Sequence, residues 1–211
     1  MAHKQGQAAF CRCLFIITFI IEQVGLMLLM QHQLIAAVVV LILSAAGTIG
    51  LQYWYAKLRP SKAMIWADKA KLVMILLVAI IVVEVLIVAL MQYFDVGASA
   101  NQQVINHYLQ VPEDYFVMGA SLVIIAPIVE EGLFRTAIIG RTSQPWLFGV
   151  ISTALFVMMH VALAGSFTAV LLHCLQYAVL GSVFSFGYCY TEDWRVNTVL
   201  HGLWNLMTIM I

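Results

Sequence analysis

Eight ionisable side chains stand inside long apolar runs, where lipid should exclude them: Glu22, Glu84, Glu130, Glu131, Arg135, His160, His173 and His201. Placing one at bilayer depth costs roughly 2.5–3.5 kcal/mol, so each asks for a reason. Six of the eight lie between residues 130 and 201, and three short groups there have helical spacing. The first is Glu130-Glu131-Gly132-Leu133-Phe134-Arg135. Glu131 and Arg135 are four apart, share a helix face and can pair, with the glutamate N-terminal. Glu130 points about 100° away and is left without that partner. A carboxyl beside a second carboxyl in an apolar site suits a general base near neutral pH. Pro127, just upstream, should loosen the helix and free the carbonyl of Val123.

The second group ends in His160, with Phe156 one turn earlier on the same face, where its ring could wall the imidazole from lipid. In the third, His201 and Asn205 share a face, and Gly202 lets another backbone come close. An imidazole beside an amide offers two donors, which an oxyanion hole needs. Taken singly, each group reads as a structural ion pair or a polar packing seam. Together they supply a base, imidazoles and an amide, the inventory for hydrolysing an amide with water. No serine or cysteine stands in a motif that nominates a nucleophile.

These groups need helices to carry them. The chain has 211 residues, 64% hydrophobic and 9% charged, with mean hydropathy +0.99. A soluble surface cannot be covered from that composition. In lipid the backbone must be satisfied internally, and long continuous apolar runs favour helices over a barrel. The fold class expected is an all-α polytopic helical membrane bundle. About seven spans are predicted, near 10–30, 34–54, 72–93, 115–140, 146–164, 167–190 and 196–211. The division expected is residues 1–114, N-terminal transmembrane helices and loops, then a catalytic helical core at 115–211. The two form one continuous membrane domain, with the chemistry in the last four helices.

With the N-terminus in the cytoplasm, the lysines and arginines fall on or near the inner side, and loop 94–114 carries Asp95, Glu113 and Asp114 outside. Seven spans would then leave the C-terminus outside. Lys4 and Arg12 before an apolar run resemble a signal peptide, but no small-x-small site follows, so a retained first helix is expected. Net charge is zero and no basic run is interleaved with aromatics, which leaves nucleic-acid binding without support. Cys11, Cys13, Cys174 and Cys189 match no zinc or redox spacing and read as small apolar residues. Acylation of Cys11 or Cys13 has weak support from their place near a membrane boundary.

Residues 130–135 (EEGLFR), 156–160 (FVMMH) and 201–205 (HGLWN) resemble the motifs EExxxR, FxxxH and HxxxN of the CAAX proteases and bacteriocin-processing enzymes, also called the Abi family. The resemblance covers roughly residues 115–211. It implies an intramembrane endopeptidase acting on a membrane-bound peptide or protein in the lipid bilayer. By that likeness Glu130 and His160 activate water, His201 and Asn205 hold the oxyanion, and Glu131, Arg135 and Phe156 give structural support. The family is often labelled metalloprotease, and a metal-free glutamate mechanism has also been argued for it. Glu130, His160 and His201 would make a three-ligand open zinc site if they converge. The small size resembles the bacterial branch, linked to bacteriocin processing or immunity, which places the chain in a bacterial plasma membrane.

Counting from the assumed inner ends puts His160 deeper than His201 by roughly 14 Å, so convergence needs a tilt or a displaced helix. His173, Glu22 and Glu84 belong to no motif and read as packing residues. Two further functional classes fit the same residues. One is a non-catalytic immunity or scaffold protein; the other is a proton-coupled carrier, which the lack of repeats and matched broken helices disfavours.

Overall fold

A computed structural model describes residues 2–163 and 165–210, so the expected span ends at 164 and 211 lie outside the described residues. The described residues form eight helices and no strand. They are α1 (Ala2–Met30), α2 (Leu34–Leu58), α3 (Trp66–Tyr93), α4 (Ala100–Leu109), α5 (Pro112–Ile139), α6 (Pro145–His160), α7 (Phe167–Thr191) and α8 (Trp194–Met210). Of these, α1, α2, α3, α5 and α7 are long and apolar enough to cross a membrane. Large apolar side chains such as Ile17, Ile42, Val85 and Val150 point outward, as a lipid-facing surface requires. The chain is an integral membrane protein.

Where seven spans are expected, five long ones occur, and α6 and α8 have 16 and 17 residues. At 1.5 Å per residue they reach about 24–26 Å, short of the roughly 30 Å hydrocarbon layer. Both carry candidate site residues, and α6 stops at His160 itself. The loop expected at 94–114 contains the short polar helix α4.

One end of the bundle is stitched by basic side chains. Arg12 donates to the carbonyl of Ile138 at 2.8 Å, capping the end of α5. Lys69 and Arg195 both reach Asp193, at 2.6 and 2.7 Å. Burial opposes ionisation of Asp193, but the hydrogen bonds from Arg195 and Lys69 outweigh it and hold the carboxyl at about 2. The opposite end is tied by His32 on Asp114, 3.1 Å, and by the Tyr108 hydroxyl on the Met30 carbonyl, 3.2 Å.

The main core lies between α3, α5, α6, α7 and α8, around Ile80, Phe134, Phe156, Phe184 and Leu200. Against it, α5 is not uniformly α-helical: Ser121–Ile125 and Gly132–Ile139 are π-helical, flanking the α-helical Ala126–Glu131. Pro127 has no N–H to give to the preceding turn, and a wider turn relieves its ring. The Ala126 N–H donates to Ser121, five residues back. In that register the carbonyl facing the missing proline donor is that of Leu122, not Val123 as α-helical counting predicts. This is a one-residue correction, and it decides where Asn205 binds.

Candidate active site

Glu131 sits at the centre of a fully enclosed polar knot. Its Oε2 accepts from Arg135 Nε at 3.0 Å and from Asn197 Nδ2 at 3.1 Å, and its Oε1 faces His201 Nδ1 at 3.1 Å. Glu131 and Arg135 have no solvent exposure. The pair that i, i+4 spacing predicts therefore forms, but its carboxylate also takes a histidine. Arg135 continues to the Ser152 and Ser185 hydroxyls and lies over the rings of Phe134, Phe156 and Phe184. Ser152 donates onward to the Phe134 carbonyl at 2.6 Å. Partners of this kind make a buried charge pair tolerable, and of the arginine's nitrogens Nη2 alone has none among the described residues.

Glu130 is different. Its Oε2 lies 3.6 Å from His160 Nε2, and both side chains keep about 15% exposure. That separation is too long for a direct hydrogen bond and suits a bridging water. The same Oε2 has no hydrogen-bond partner among the described residues. His160 Nδ1 lies 2.8 Å from the Phe156 carbonyl. A carbonyl only accepts, so Nδ1 carries the proton and Nε2 is the nitrogen facing Glu130. The Phe156 ring covers the imidazole at 4.2 Å between centroids.

Around His201 the same logic applies. A carboxylate held by Arg135 only accepts, so His201 Nδ1 donates and Nε2 is left free. Phe184 stacks on the ring at 4.7 Å. One turn on, Asn205 Nδ2 donates to the Leu122 carbonyl at 2.8 Å. Its second amide proton is not used by that bond. Gly202 lies against the Val123 carbonyl so closely that an added Cβ would stand 2.6 Å away. Any side chain there would push α8 off the π turn.

Glu130, His160, His201 and Asn205 all line one cavity of about 1200 Å³. The expected convergence of both imidazoles on Glu130 does not occur: Glu130 meets His160, while His201 pairs with Glu131. The predicted depth difference persists, since His160 packs on Tyr177 and His201 on Phe184, seven residues apart along α7. That is about 10 Å of helix rise. Phe156 bridges the offset, 4.2 Å from one imidazole and 6.2 Å from the other.

Sequence reasoning passed over Asn197, Ser152, Ser185 and Tyr177. Asn197 was reachable, standing one turn before His201 as Asn205 stands one turn after. Gly187 leaves the room for it, because a Cβ there would lie 2.8 Å from Asn197 Oδ1. Ser152 likewise shares the face of Phe156 and His160. Tyr177 had no spacing signal. Of the three expected packing residues, Glu22 and His173 are buried outside the cavity lining, whereas Glu84 lines it, bonded by Gln176 at 2.9 Å.

Residues 112–207 match the family model of the Rce1-like type II CAAX prenyl endopeptidases. This stretch, a little under half of the chain, is similar to the CAAX protease family. No curated protein and no solved structure is similar enough to the chain to match it. At the family level, that likeness supports a CAAX-type intramembrane protease acting on a membrane-embedded peptide or protein. The matched stretch contains α5 through most of α8, and with them every motif residue named above.

Zinc needs three protein ligands around one point at about 2.0–2.2 Å. Among the described residues no three histidines, cysteines, aspartates or glutamates gather into such a set. Glu130, His160 and His201 form no such set: Glu130 and His160 meet as a pair, while His201 faces Glu131.

Proposed function

We propose that the chain is an intramembrane endopeptidase that hydrolyses a membrane-associated peptide with water activated by Glu130 and His160. The observation that carries this is the Glu130 Oε2, without a hydrogen-bond partner among the described residues, beside His160 Nε2, in two residues that line the cavity. A water bridging those atoms would have two polar partners and a base. Glu130 removes its proton as the oxygen attacks the scissile carbonyl carbon, and a tetrahedral oxyanion forms. His201 Nε2–H and the second Asn205 amide proton donate to that oxyanion. For Nε2 to donate, the His201 ring must carry both protons, with Nδ1–H on Glu131. Glu130, relayed by His160, then returns its proton to the leaving nitrogen as the C–N bond breaks. The basic end faces the cytoplasm by the excess of lysine and arginine there, and the membrane is a bacterial plasma membrane.

The test needs no known substrate. Membranes from cells making the wild type or Glu130→Gln are compared by mapping peptide N-termini. New termini that appear with the wild type and vanish with Glu130→Gln are the expected result. Identical sets of termini, with both proteins inserted and folded, would refute the proposal.

A further inference from the structure

His160 is the last helical residue of α6, so no further turn of its own helix restrains it. Its ring is instead held on two sides. Phe156 lies on one, four residues earlier in α6. On the other, Tyr177 of α7 stacks at 5.0 Å with 28° between planes. Tyr177 is 8% exposed, and its hydroxyl is tied in turn to the segment that opens α4. Ser99 Oγ lies 3.2 Å away, and Asn101 Nδ2 donates to it at 3.3 Å.

Ser99 is also the N-cap of α4, where its Oγ accepts the Gln102 N–H at 3.2 Å. α4 buries none of its residues, yet Asn101, Val104 and Leu109 line the same cavity as His160. This helix therefore forms a thin cavity wall, and one of its fastenings is the hydroxyl of the residue stacked on His160. Ser99 and Asn101 lie outside the family-matched residues 112–207.

We propose that Tyr177 is a positioning residue: it holds the His160 imidazole edge toward Glu130 and ties that pose to the Ser99–Asn101 end of α4. This rests on His160 taking part in the chemistry, but its first test does not depend on cleavage. A single χ1 rotation of His160 would break its Nδ1 bond to Phe156 and swing Nε2 from Glu130, and the tyrosine ring blocks that rotation.

The experiment is carbethoxylation of His160 by diethyl pyrocarbonate in the full-length protein, followed by peptide mass spectrometry. Tyr177→Leu is expected to raise the His160 rate several-fold. Tyr177→Phe keeps the ring and loses the tie, so a smaller rise is expected. Ser99→Ala/Asn101→Ala should match that rise, and adding Tyr177→Phe to it should change nothing further, because both remove one interaction. His173, one turn before Tyr177 on α7 and 8% exposed, is the internal control. An unchanged His160 rate in Tyr177→Leu, additive effects of the two smaller changes, or His173 rising in step would each overturn the proposal. Unchanged labelling beside Glu130-dependent cleavage would sink the tie alone and leave the protease reading standing.

Discussion

Two adjacent glutamates, Glu130 and Glu131, each face a histidine, and the two pairs are built to opposite standards. Glu131 and His201 are enclosed, and each carboxylate oxygen has a partner. Glu130 and His160 are partly exposed, 3.6 Å apart, with a carboxylate oxygen left unbonded. The first arrangement fixes geometry; the second leaves a carboxylate oxygen free to bond a third participant. On the proposed function, a single peptide bond separates a group whose work is to stay put from one whose work is to exchange protons. The difference arises because the wall behind Glu131 is made of Arg135, Asn197 and two serines, while the wall before Glu130 is a cavity.

The comparison breaks most sharply at Arg135. Arg135→Ala strands the Glu131 charge in a dry site and should cost about 3–5 kcal/mol of stability, read as a lowered melting temperature in detergent. Glu130→Gln, by contrast, should leave the melting temperature within about 2 °C of the wild type while cutting kcat by 10²-fold or more, at about the scale of a lost general base. A large melting shift in Glu130→Gln would mean that the two acids are not functionally divided. Next in size, Asn205→Ala should lower kcat by about 10²–10³-fold with little change in KM, since the oxyanion exists only after attack. Asn197→Ala removes a donor from Glu131 and should cost about 1–3 kcal/mol.

The smallest expected effect lies away from both pairs, at the basic end. An unpaired aspartate titrates near 3.8, whereas Asp193 is held at about 2 in the fold. Its contribution is therefore complete above about pH 4 and is lost as pH falls through about 2. Asp193→Asn should melt about 2–4 °C below the wild type at pH 6, with the gap closing on acidification toward pH 2. A gap independent of pH would assign the effect to packing rather than charge.

Within single helices the sequence was readable. The Glu131–Arg135 pair, the Phe156 ring over His160 and the close approach at Gly202 all follow from residues one turn apart or from a missing Cβ. The helical class and the membrane setting follow from composition in the same direct way. What spacing could not show was which acid meets which histidine, because that depends on how α5 is rotated against α6 and α8. The π turns set that rotation, and nothing in a count of 3.6 residues per turn reveals them. Tyr177 was hidden for a related reason: its partners, His160, Ser99 and Asn101, lie on other elements, and its own neighbours in sequence are ordinary apolar residues. Asn197 marks the boundary between the two cases, since its i, i+4 relation to His201 was visible but its link to Glu131 was not.

A π turn is in effect one surplus residue absorbed without a loop. If one residue were excised from Ser121–Ile125 and the stretch relaxed to ordinary α pitch, four residues would cover nearly the arc that five now cover, and Glu130 and Glu131 would keep their faces. Excising Ile128 or Val129 from the α-helical Ala126–Glu131 would instead swing everything after it by about 100° and draw Arg135 out from between its three phenylalanines. The helix should consequently tolerate a shortening within the wide turn far better than one just beyond it.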